Sequence, residues 1–236
     1  MTDPRRFHRF LRLASAGLVL FAICAACTYS EGERAETGAC PEGETCSDAT
    51  PSGLAFYGAR PGEDDGAADW IRAVAMGGTQ RLSIAAADGA ALGVVDVQSS
   101  APWFLTIAPD AEPAVGEVGV ELSGLAEGDA YVRVLDANGD LYDRVSMRVA
   151  RVATVDATVN GAGDAVVGAR NSAVFRLVSA QGDRLVDEGM TIESEDVDVE
   201  RISWDCIDFT APSEPGEVTF RLAAGHRNWA ITVPVR

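Results

Sequence analysis

The sequence contains no lysine: all 19 basic residues are arginine, against 36 acidic residues, and the formal net charge is −17. Only two histidines are present, and aromatic residues make up 7% of the chain. The phosphates of nucleic acid require a basic patch, which a protein this acidic does not offer. Nucleic acid is therefore excluded as a partner.

Sequence motifs for catalysis are also missing. No glycine-rich phosphate loop follows a strand pattern and opens a helix, and no zinc signature is present. Beyond residue 26 the one histidine is His226, which a Ser-His-Asp or Cys-His site would have to use. It falls in a predicted hairpin turn, where an exposed turn residue is the simpler interpretation. The sequence therefore predicts a protein that is not an enzyme and has no cofactor.

A long apolar run occurs once, near the start of the chain. A segment with four arginines precedes an apolar stretch of 14 residues, from Leu13 to Ala26. A basic start, an apolar run and small residues at its end are the parts of a secretory signal peptide. The run is shorter than the roughly 20 residues that a membrane-spanning helix needs. Residues 1–26 are therefore predicted to be a signal peptide that is cleaved on export.

The end of this run resembles the lipobox of bacterial lipoproteins. Ala25 and Ala26 precede Cys27 and a polar sequence follows, while Cys24 stands where the family usually has leucine. The resemblance implies that Cys27 receives a diacylglyceryl group and becomes the new N-terminus. Several acyl chains then form a stable membrane anchor, and Thr28 in place of aspartate favours the outer membrane of a Gram-negative bacterium, at its periplasmic face or the cell surface. The alternative is an ordinary signal peptide with Cys27 as a free thiol.

Without residues 1–26, the remaining 210 residues carry 15 basic and 35 acidic side chains, a net charge of −20. Residues 27–51 are predicted to be the lipidated cysteine and a flexible acidic tether, because they hold too little apolar surface to offset the entropy of ordering. Cys40 and Cys46 lie in this tether, and their spacing in an exported chain predicts a local disulfide. Cys206 has no obvious partner, and we expect a buried free thiol.

From Leu54 onward the pattern changes to short alternating runs separated by turn residues. Residues 117–122, 144–149 and 229–235 each place apolar side chains at every second position. Such alternation is typical of strands with one buried face, and no comparable helical stripe is present. Asn138-Gly139 lies between two such runs and is a strong hairpin signal. The sequence predicts an all-β protein, either a sandwich or a barrel.

Two stretches of this body are similar to each other. Residues 128–134 read Gly-Asp-Ala-Tyr-Val-Arg-Val, and residues 216–222 read Gly-Glu-Val-Thr-Phe-Arg-Leu. Each stretch is followed by a hairpin and by an alternating strand, which ends at Val149 in the first copy and at Val235 in the second. A serine-containing run precedes each of them. The repeat predicts two copies of one sandwich, joined without glycine or proline and therefore semi-rigidly.

The closing strands resemble those of bacterial Ig-like domains, whose pattern Gly-x-Ala-x-Val-x-Val is matched by Gly128, Ala130, Val132 and Val134. The segment 99–102, Ser-Ser-Ala-Pro, is similar to the serine-rich stretch of their middle strands. This resemblance implies two tandem Ig-like β-sandwich domains, residues 52–150 and 151–236. It also implies a binding, adhesion or scaffolding role at the envelope, with a protein or glycan partner.

Candidates for a metal site are confined to acidic segments. Asp136, Asn138, Asp140 and Asp143 offer oxygen ligands as calcium loops do, but the glycine comes too early for an EF-hand and no glutamate closes the loop. A plain hairpin is the simpler interpretation, and no metal is predicted. The acidic clusters at 63–69 and 193–200 are interpreted as solvated faces.

The four tryptophans bear on a second hypothesis, because indole rings stack on sugars. Trp103 and Trp229 lie in apolar alternating runs and are expected in the core, and Trp204 is a further candidate for stacking. Trp70 follows an acidic, glycine-rich loop and is the candidate for an exposed aromatic side chain, although partial burial is the simpler interpretation. A carbohydrate-recognising surface module is therefore the alternative to a scaffolding or adhesion role.

Overall fold

The computed structural model describes residues 54–58, 71–86, 92–93, 95–110, 116–161 and 164–236. The predicted signal peptide and tether lie outside the described residues, with Cys27, Cys40 and Cys46, and so does Trp70. The described residues form strands, turns and irregular segments. Within that part of the chain no helix has the length and hydropathy to cross a membrane.

The first half of the described chain forms two four-stranded sheets, with strand orders β1-β3-β6-β5 and β2-β8-β7-β4. Neighbouring strands are antiparallel except for β2 and β8, which run parallel. The strands are β1 (Leu54–Gly58), β2 (Ala73–Ala75), β3 (Thr79–Ala86), β4 (Asp96–Ser99), β5 (Leu105–Pro109), β6 (Val118–Gly124), β7 (Gly128–Leu135) and β8 (Leu141–Ala150). We call this pair of sheets the first sandwich.

The second half also forms two sheets, one of five strands and one of three, and is called the second sandwich. Its strands are β9 (Val152–Val159), β10 (Arg170–Ser179), β11 (Arg184–Leu185), β12 (Thr191–Ser194), β13 (Val199–Arg201), β14 (Cys206–Thr210), β15 (Gly216–Ala224) and β16 (Arg227–Val235). One sheet has the order β11-β10-β14-β13, with β9 also paired to β10, and the other has the order β12-β15-β16. A single residue, Arg151, separates β8 from β9.

Each sandwich encloses its own apolar cluster, because alternate side chains of every strand point to opposite faces. In the first, Leu82, Ile84, Leu122, Val132 and Met147 are buried at the centre. Burial of one such side chain contributes about 1.5–3 kcal/mol. The alternation that the sequence shows at 144–149 is therefore the alternation between this core and the outer face of β8.

The second core is built around three phenylalanines. The rings of Phe175 and Phe209 both meet the ring of Phe220 edge to face, at centroid distances of 5.5 and 5.1 Å. Edge-to-face pairs place the positive edge of one ring against the negative face of another. All three side chains come from different strands, so the cluster fixes both sheets of the second sandwich.

The internal repeat is reproduced in the strand register. Gly128 of β7 lies opposite Val149 of β8, and Gly216 of β15 lies opposite Val235 of β16. The two copies therefore pair their first glycine with their last valine, although the second hairpin is two residues shorter. The register of a strand pair decides which side chains face the core.

The preceding strand of each copy joins at the same place. Ser99 of β4 lies opposite Val132, and Ser194 of β12 lies opposite Phe220, in each case four residues after the glycine. Together with the two-sheet architecture, this confirms the prediction of an all-β fold of the sandwich type.

One prediction about the core is wrong. Cys206 lies in β14 and is 1% exposed, but it is disulfide-bonded and is not a free thiol. The other four cysteines of the chain lie outside the described residues. A buried cysteine side chain was expected to be a free thiol, because a thiol packs as a small apolar group. A buried sulfur can equally form a disulfide bond. The predicted Cys40–Cys46 disulfide also lies outside the described residues.

Candidate functional site

Trp103 is the most exposed large apolar side chain among the described residues, at 64%. The prediction that it belongs to the core is wrong, because Pro102 and Trp103 occupy a turn between β4 and β5, where the strand alternation is interrupted. Ala101 and Leu105 are buried on either side of this turn. The turn is therefore anchored at both ends and projects the indole outward.

The turn is also fixed by hydrogen bonds and ring packing. The amides of Phe104 and Leu105 donate to the carbonyl oxygen of Ala101, at 2.9 and 3.1 Å. The Trp103 and Phe104 rings meet edge to face, with centroids 5.9 Å apart. Phe104 lies directly over Gly128, where an added Cβ would come within 2.6 Å of the ring. Gly128, which the repeat singled out, thus provides the space that Phe104 occupies.

The loop between β6 and β7 borders this turn. The amide of Leu125 donates to the carbonyl oxygen of Phe104 at 2.7 Å, and the Leu125 side chain is 53% exposed. Two residues further, Glu127 forms an exposed ion pair with Arg151 at 3.2 Å. We call Trp103, Leu125, Glu127 and Arg151 the Trp103 surface. The indole of Trp103 is exposed, the Glu127 carboxylate accepts hydrogen bonds, and the Arg151 guanidinium donates several.

A second feature is the junction between the sandwiches, at which Asp187 is 4% exposed. Its Oδ1 accepts hydrogen bonds from the amides of Thr79 (3.3 Å) and Gly189 (3.0 Å), and its Oδ2 accepts one from the amide of Gly225 (2.9 Å). Thr79 belongs to the first sandwich and Gly225 to the second. The Asp187 carboxylate is therefore held within the second sandwich by Gly189 and Gly225, and it contacts the first sandwich through the Thr79 amide.

Glu188 extends this junction. Its amide donates to the carbonyl oxygen of Thr79 at 2.8 Å, and its Oε1 accepts from the amide of Arg81 at 2.9 Å. Burial raises the pKa of Glu188 to about 7, with further raising from Glu121 and Asp110, against the lowering effect of the hydrogen bond and charge of Arg81. The pKa of Glu188 is therefore raised because the junction between the sandwiches buries its carboxyl group.

Backbone pairing crosses the junction as well. Val74 of β2 forms a parallel bridge to Val186. The Ala75 amide donates to the Val186 carbonyl oxygen at 2.8 Å, and the Val186 amide donates to the Ala73 carbonyl oxygen at 2.9 Å. Strand β2 thus pairs with β8 in the first sandwich and with the segment after β11 in the second. The apolar side chains of Ala73 and Ala75 belong to the second core.

His226 belongs to this junction. It lies in the β15–β16 turn with φ of 62°, and its imidazole packs against Gly77, where any Cβ would overlap the ring. Gly77 itself has φ of 83°, and at Gly78 an added Cβ would come within 2.6 Å of the Asp187 carboxyl carbon. Glycine at both positions allows the second sandwich to approach.

A cleft of about 570 Å³ opens where the two sandwiches meet. Tyr131, Arg148 and Asp183 are among its lining residues. The guanidinium of Arg148 bridges the sandwiches, 3.1 Å from Asp129 and 3.0 Å from Asp183. One guanidinium thus pairs with two carboxylates, one from each sandwich.

The candidate calcium residues fall in the β7–β8 hairpin. The Asp136 carboxylate accepts hydrogen bonds from the amides of Asn138 (2.8 Å) and Asp140 (2.9 Å), which hold the pKa of Asp136 below its usual value. Asp143 is buried in β8, and one of its oxygens accepts from the amide of Arg144 at 2.6 Å. In the described part of the chain, no group of three or more His, Cys, Asp or Glu side chains is placed to hold a metal ion.

The acidic residues between 193 and 200 are exposed. Glu195 pairs with Arg221 at 2.6 Å and Glu200 with Arg170 at 2.7 Å, while Asp196 accepts a hydrogen bond from the amide of Thr219. These contacts fit a solvated face in which carboxylates are partly compensated. The other acidic cluster, at 63–69, lies outside the described residues.

The sequence pointed to neither Trp103 nor Asp187 as a site residue. Trp229, also predicted in the core, is half-buried against the second core with Arg227 over its ring at 5.7 Å. The signal for Trp103 was Pro102, which initiates a turn within the apolar run. No sequence signal identifies Asp187, because two of its donors lie 108 and 38 residues away.

No protein-family model and no curated protein matches this sequence. Among solved structures, domains 5–6 of the S-layer protein SbsC are similar at 19% identity and a TM-score of 0.32, over 70% of this chain and 92% of that one. The Escherichia coli adhesin FdeC is similar at 14% identity and a TM-score of 0.32, over 80% of this chain and 66% of that one.

A third similar structure is the Bacteroides ovatus protein SGBP-B of a mixed-linkage glucan utilization locus, in complex with a heptasaccharide. Its identity is 18% and its TM-score 0.35, over 72% of this chain and 45% of that one. Similarities at this level assign the chain to no family.

Proposed function

We propose that this chain is an exported lipoprotein, anchored to the outer membrane through Cys27, that presents two Ig-like sandwiches in a non-catalytic binding, adhesion or scaffolding role. The anchor is supported by the basic segment, the apolar run and the two alanines before Cys27. The acidic segment at 28–51 is the tether between the lipid and the sandwiches.

The observation that carries the scaffolding role is the buried contact of Asp187 with both sandwiches. Separating them would break the hydrogen bond from the Thr79 amide to the Asp187 carboxylate, and a buried group left without its partner costs about 1–3 kcal/mol. The two sandwiches therefore keep one relative orientation. A body of fixed geometry on a lipid anchor is suited to holding a partner at the envelope.

A non-catalytic role agrees with how the two most reactive-looking side chains are used. The imidazole of His226 packs against Gly77 and supports the junction. Glu188, whose pKa of about 7 would suit a general base, accepts a hydrogen bond from the Arg81 amide at the same junction. Both groups serve the contact between sandwiches, not a concave site.

The experiment is fractionation and protease shaving of intact cells that express the wild-type chain or Cys27→Ala. We expect the wild type in the outer-membrane fraction and the variant released or retained as precursor. Cleavage of the wild type by external protease would place the partner outside the cell, and protection would place it in the periplasm. Equal membrane association of the two proteins would refute the anchor.

A second candidate function is carbohydrate recognition, and the exposure of Trp103 favours it. An indole that is 64% exposed gives up much of the stabilisation that burial of so large a side chain would provide. Glycan binding would use that exposed ring directly.

A further inference from the structure

We propose that the Trp103 surface is a binding subsite for one neutral hexose of a glycan chain, with the indole as platform and Glu127 and Arg151 contacting the sugar hydroxyls. This inference rests on the surface-binding role proposed above, for which it names the site and the class of ligand.

The platform is formed before any ligand arrives. The turn is held between buried Ala101 and Leu105, and the neighbouring ring of Phe104 is seated over Gly128. An edge-to-face contact with Phe104 holds the indole while leaving it mostly exposed. A rigid aromatic side chain loses little conformational entropy on binding, which increases the affinity available from a small contact.

The chemistry of the surface matches a pyranose ring. Such a ring has a face of C–H groups, which packs on the electron-rich face of an indole, and a rim of hydroxyls that both donate and accept. Leu125 extends the apolar area beside Trp103. The exposed Glu127 carboxylate accepts hydrogen bonds and the Arg151 guanidinium donates several, so a hydroxyl pair can bridge the two.

The size of the surface argues against a protein partner. A stable protein interface buries about 800 Å² on each side and engages about 20–30 residues. The Trp103 surface offers two exposed apolar side chains. Among the described residues, the other large exposed apolar side chains are Tyr142 at the opposite end of β8, and Val166 and Ile202 in the second sandwich.

The negative charge of the protein favours neutral glycans over acidic ones. The whole chain carries a formal net charge of −17, and the one arginine of the surface is already paired with Glu127. A polyanionic glycan would be repelled by the field of the protein. A neutral hexose meets no such barrier.

The test is calorimetric titration, with tryptophan fluorescence as a second readout, on the full chain purified in detergent. The probes are three neutral oligosaccharides (cellohexaose, laminarihexaose and mannohexaose) and one acidic oligosaccharide (hexagalacturonate). The variants are Trp103→Ala, the conservative Trp103→Phe and Glu127→Gln. Val166→Ala removes an exposed apolar side chain from the second sandwich and is the matched control.

We expect at least one neutral hexasaccharide to bind, with at least about tenfold weaker binding by Trp103→Ala, as for an energetically dominant contact residue. Trp103→Phe should retain part of the affinity, Glu127→Gln should weaken it, and Val166→Ala should bind as the wild type does. Because Trp103 is exposed, its variants should unfold at the same temperature as the wild type.

The inference is overturned if no neutral probe binds, if Trp103→Ala binds as tightly as the wild type, or if hexagalacturonate binds more tightly than the neutral probes. The titration does not depend on the lipid at Cys27. A failed titration would therefore refute the subsite and leave the anchor standing, and a failed anchor experiment would leave the subsite standing.

Discussion

The backbone amide of Arg81 donates a 2.9 Å hydrogen bond to the carboxyl group of Glu188, 107 residues later in the chain. This bond joins β3 of the first sandwich to the turn after β11 of the second. Beside it, Asp187 accepts amide hydrogen bonds from both sandwiches. Two consecutive acidic residues therefore hold the two halves of the molecule together.

The first prediction concerns pH. The pKa of Glu188 is raised from 4.5 to about 7 in the folded protein, so its stabilising contribution is complete below pH 4.5 and is lost as pH rises through 7. We expect this group to lower the free energy of unfolding by at most about 3 kcal/mol between those limits, at about 1.4 kcal/mol per pKa unit. Urea unfolding at pH 5 and pH 8 measures the difference.

The matched variant is Glu188→Gln, whose side-chain oxygen can still accept from the Arg81 amide but which does not ionise. It should be more stable than the wild type at pH 8 and should show less change between pH 5 and pH 8. If the pH dependence of the variant equals that of the wild type, Glu188 does not titrate in this range.

The second prediction concerns Asp187. Asp187→Ala leaves the amides of Thr79, Gly189 and Gly225 without an acceptor. The free energy of unfolding should fall by about 1–3 kcal/mol, chiefly because the Gly225 amide is buried. Asp156→Ala, an exposed carboxylate on β9, is the control and should change stability by no more than about 0.5 kcal/mol. Chemical denaturation that shows equal effects for both variants would contradict the junction.

The third prediction tests the approach of His226 to Gly77. Gly77→Ala places a Cβ where the His226 imidazole lies, at a position with φ of 83°. The backbone strain alone should lower the free energy of unfolding by about 1–3 kcal/mol, and the overlap with the ring should lower it further. His226→Gly removes the ring and suits φ of 62°. In thermal unfolding, the double variant should be more stable than the sum of the two single changes predicts. Strict additivity would show that the two residues do not meet.

The two closing hairpins show which features of the fold can be predicted from the sequence. Gly128 and Gly216 could be recognised as equivalent because strand register depends on alternation and turn chemistry, which are local properties of the sequence. The same local logic failed at Trp103, where apolar neighbours suggested a strand although Pro102 begins a turn. Asp187 could not be found, because its partners are backbone amides, which every residue has.

The fourth prediction concerns Cys206, which is disulfide-bonded. Alkylation of the unfolded, unreduced protein should leave Cys206 unmodified, and peptide mapping should identify its partner among the remaining cysteines. Cys206→Ser should lower the free energy of unfolding by about 2–4 kcal/mol. A free Cys206 together with a Cys40–Cys46 pair would restore the expectation from the sequence.

The most direct test of the account is metabolic labelling with an alkyne-bearing fatty acid, which reports acylation of the mature protein. The chain should be labelled as the wild type and as Cys40→Ala, a control that removes a cysteine from the tether. Cys27→Ala should carry no label. Equal labelling of Cys27→Ala, or none of the wild type, would contradict the lipid anchor and the envelope function that depends on it.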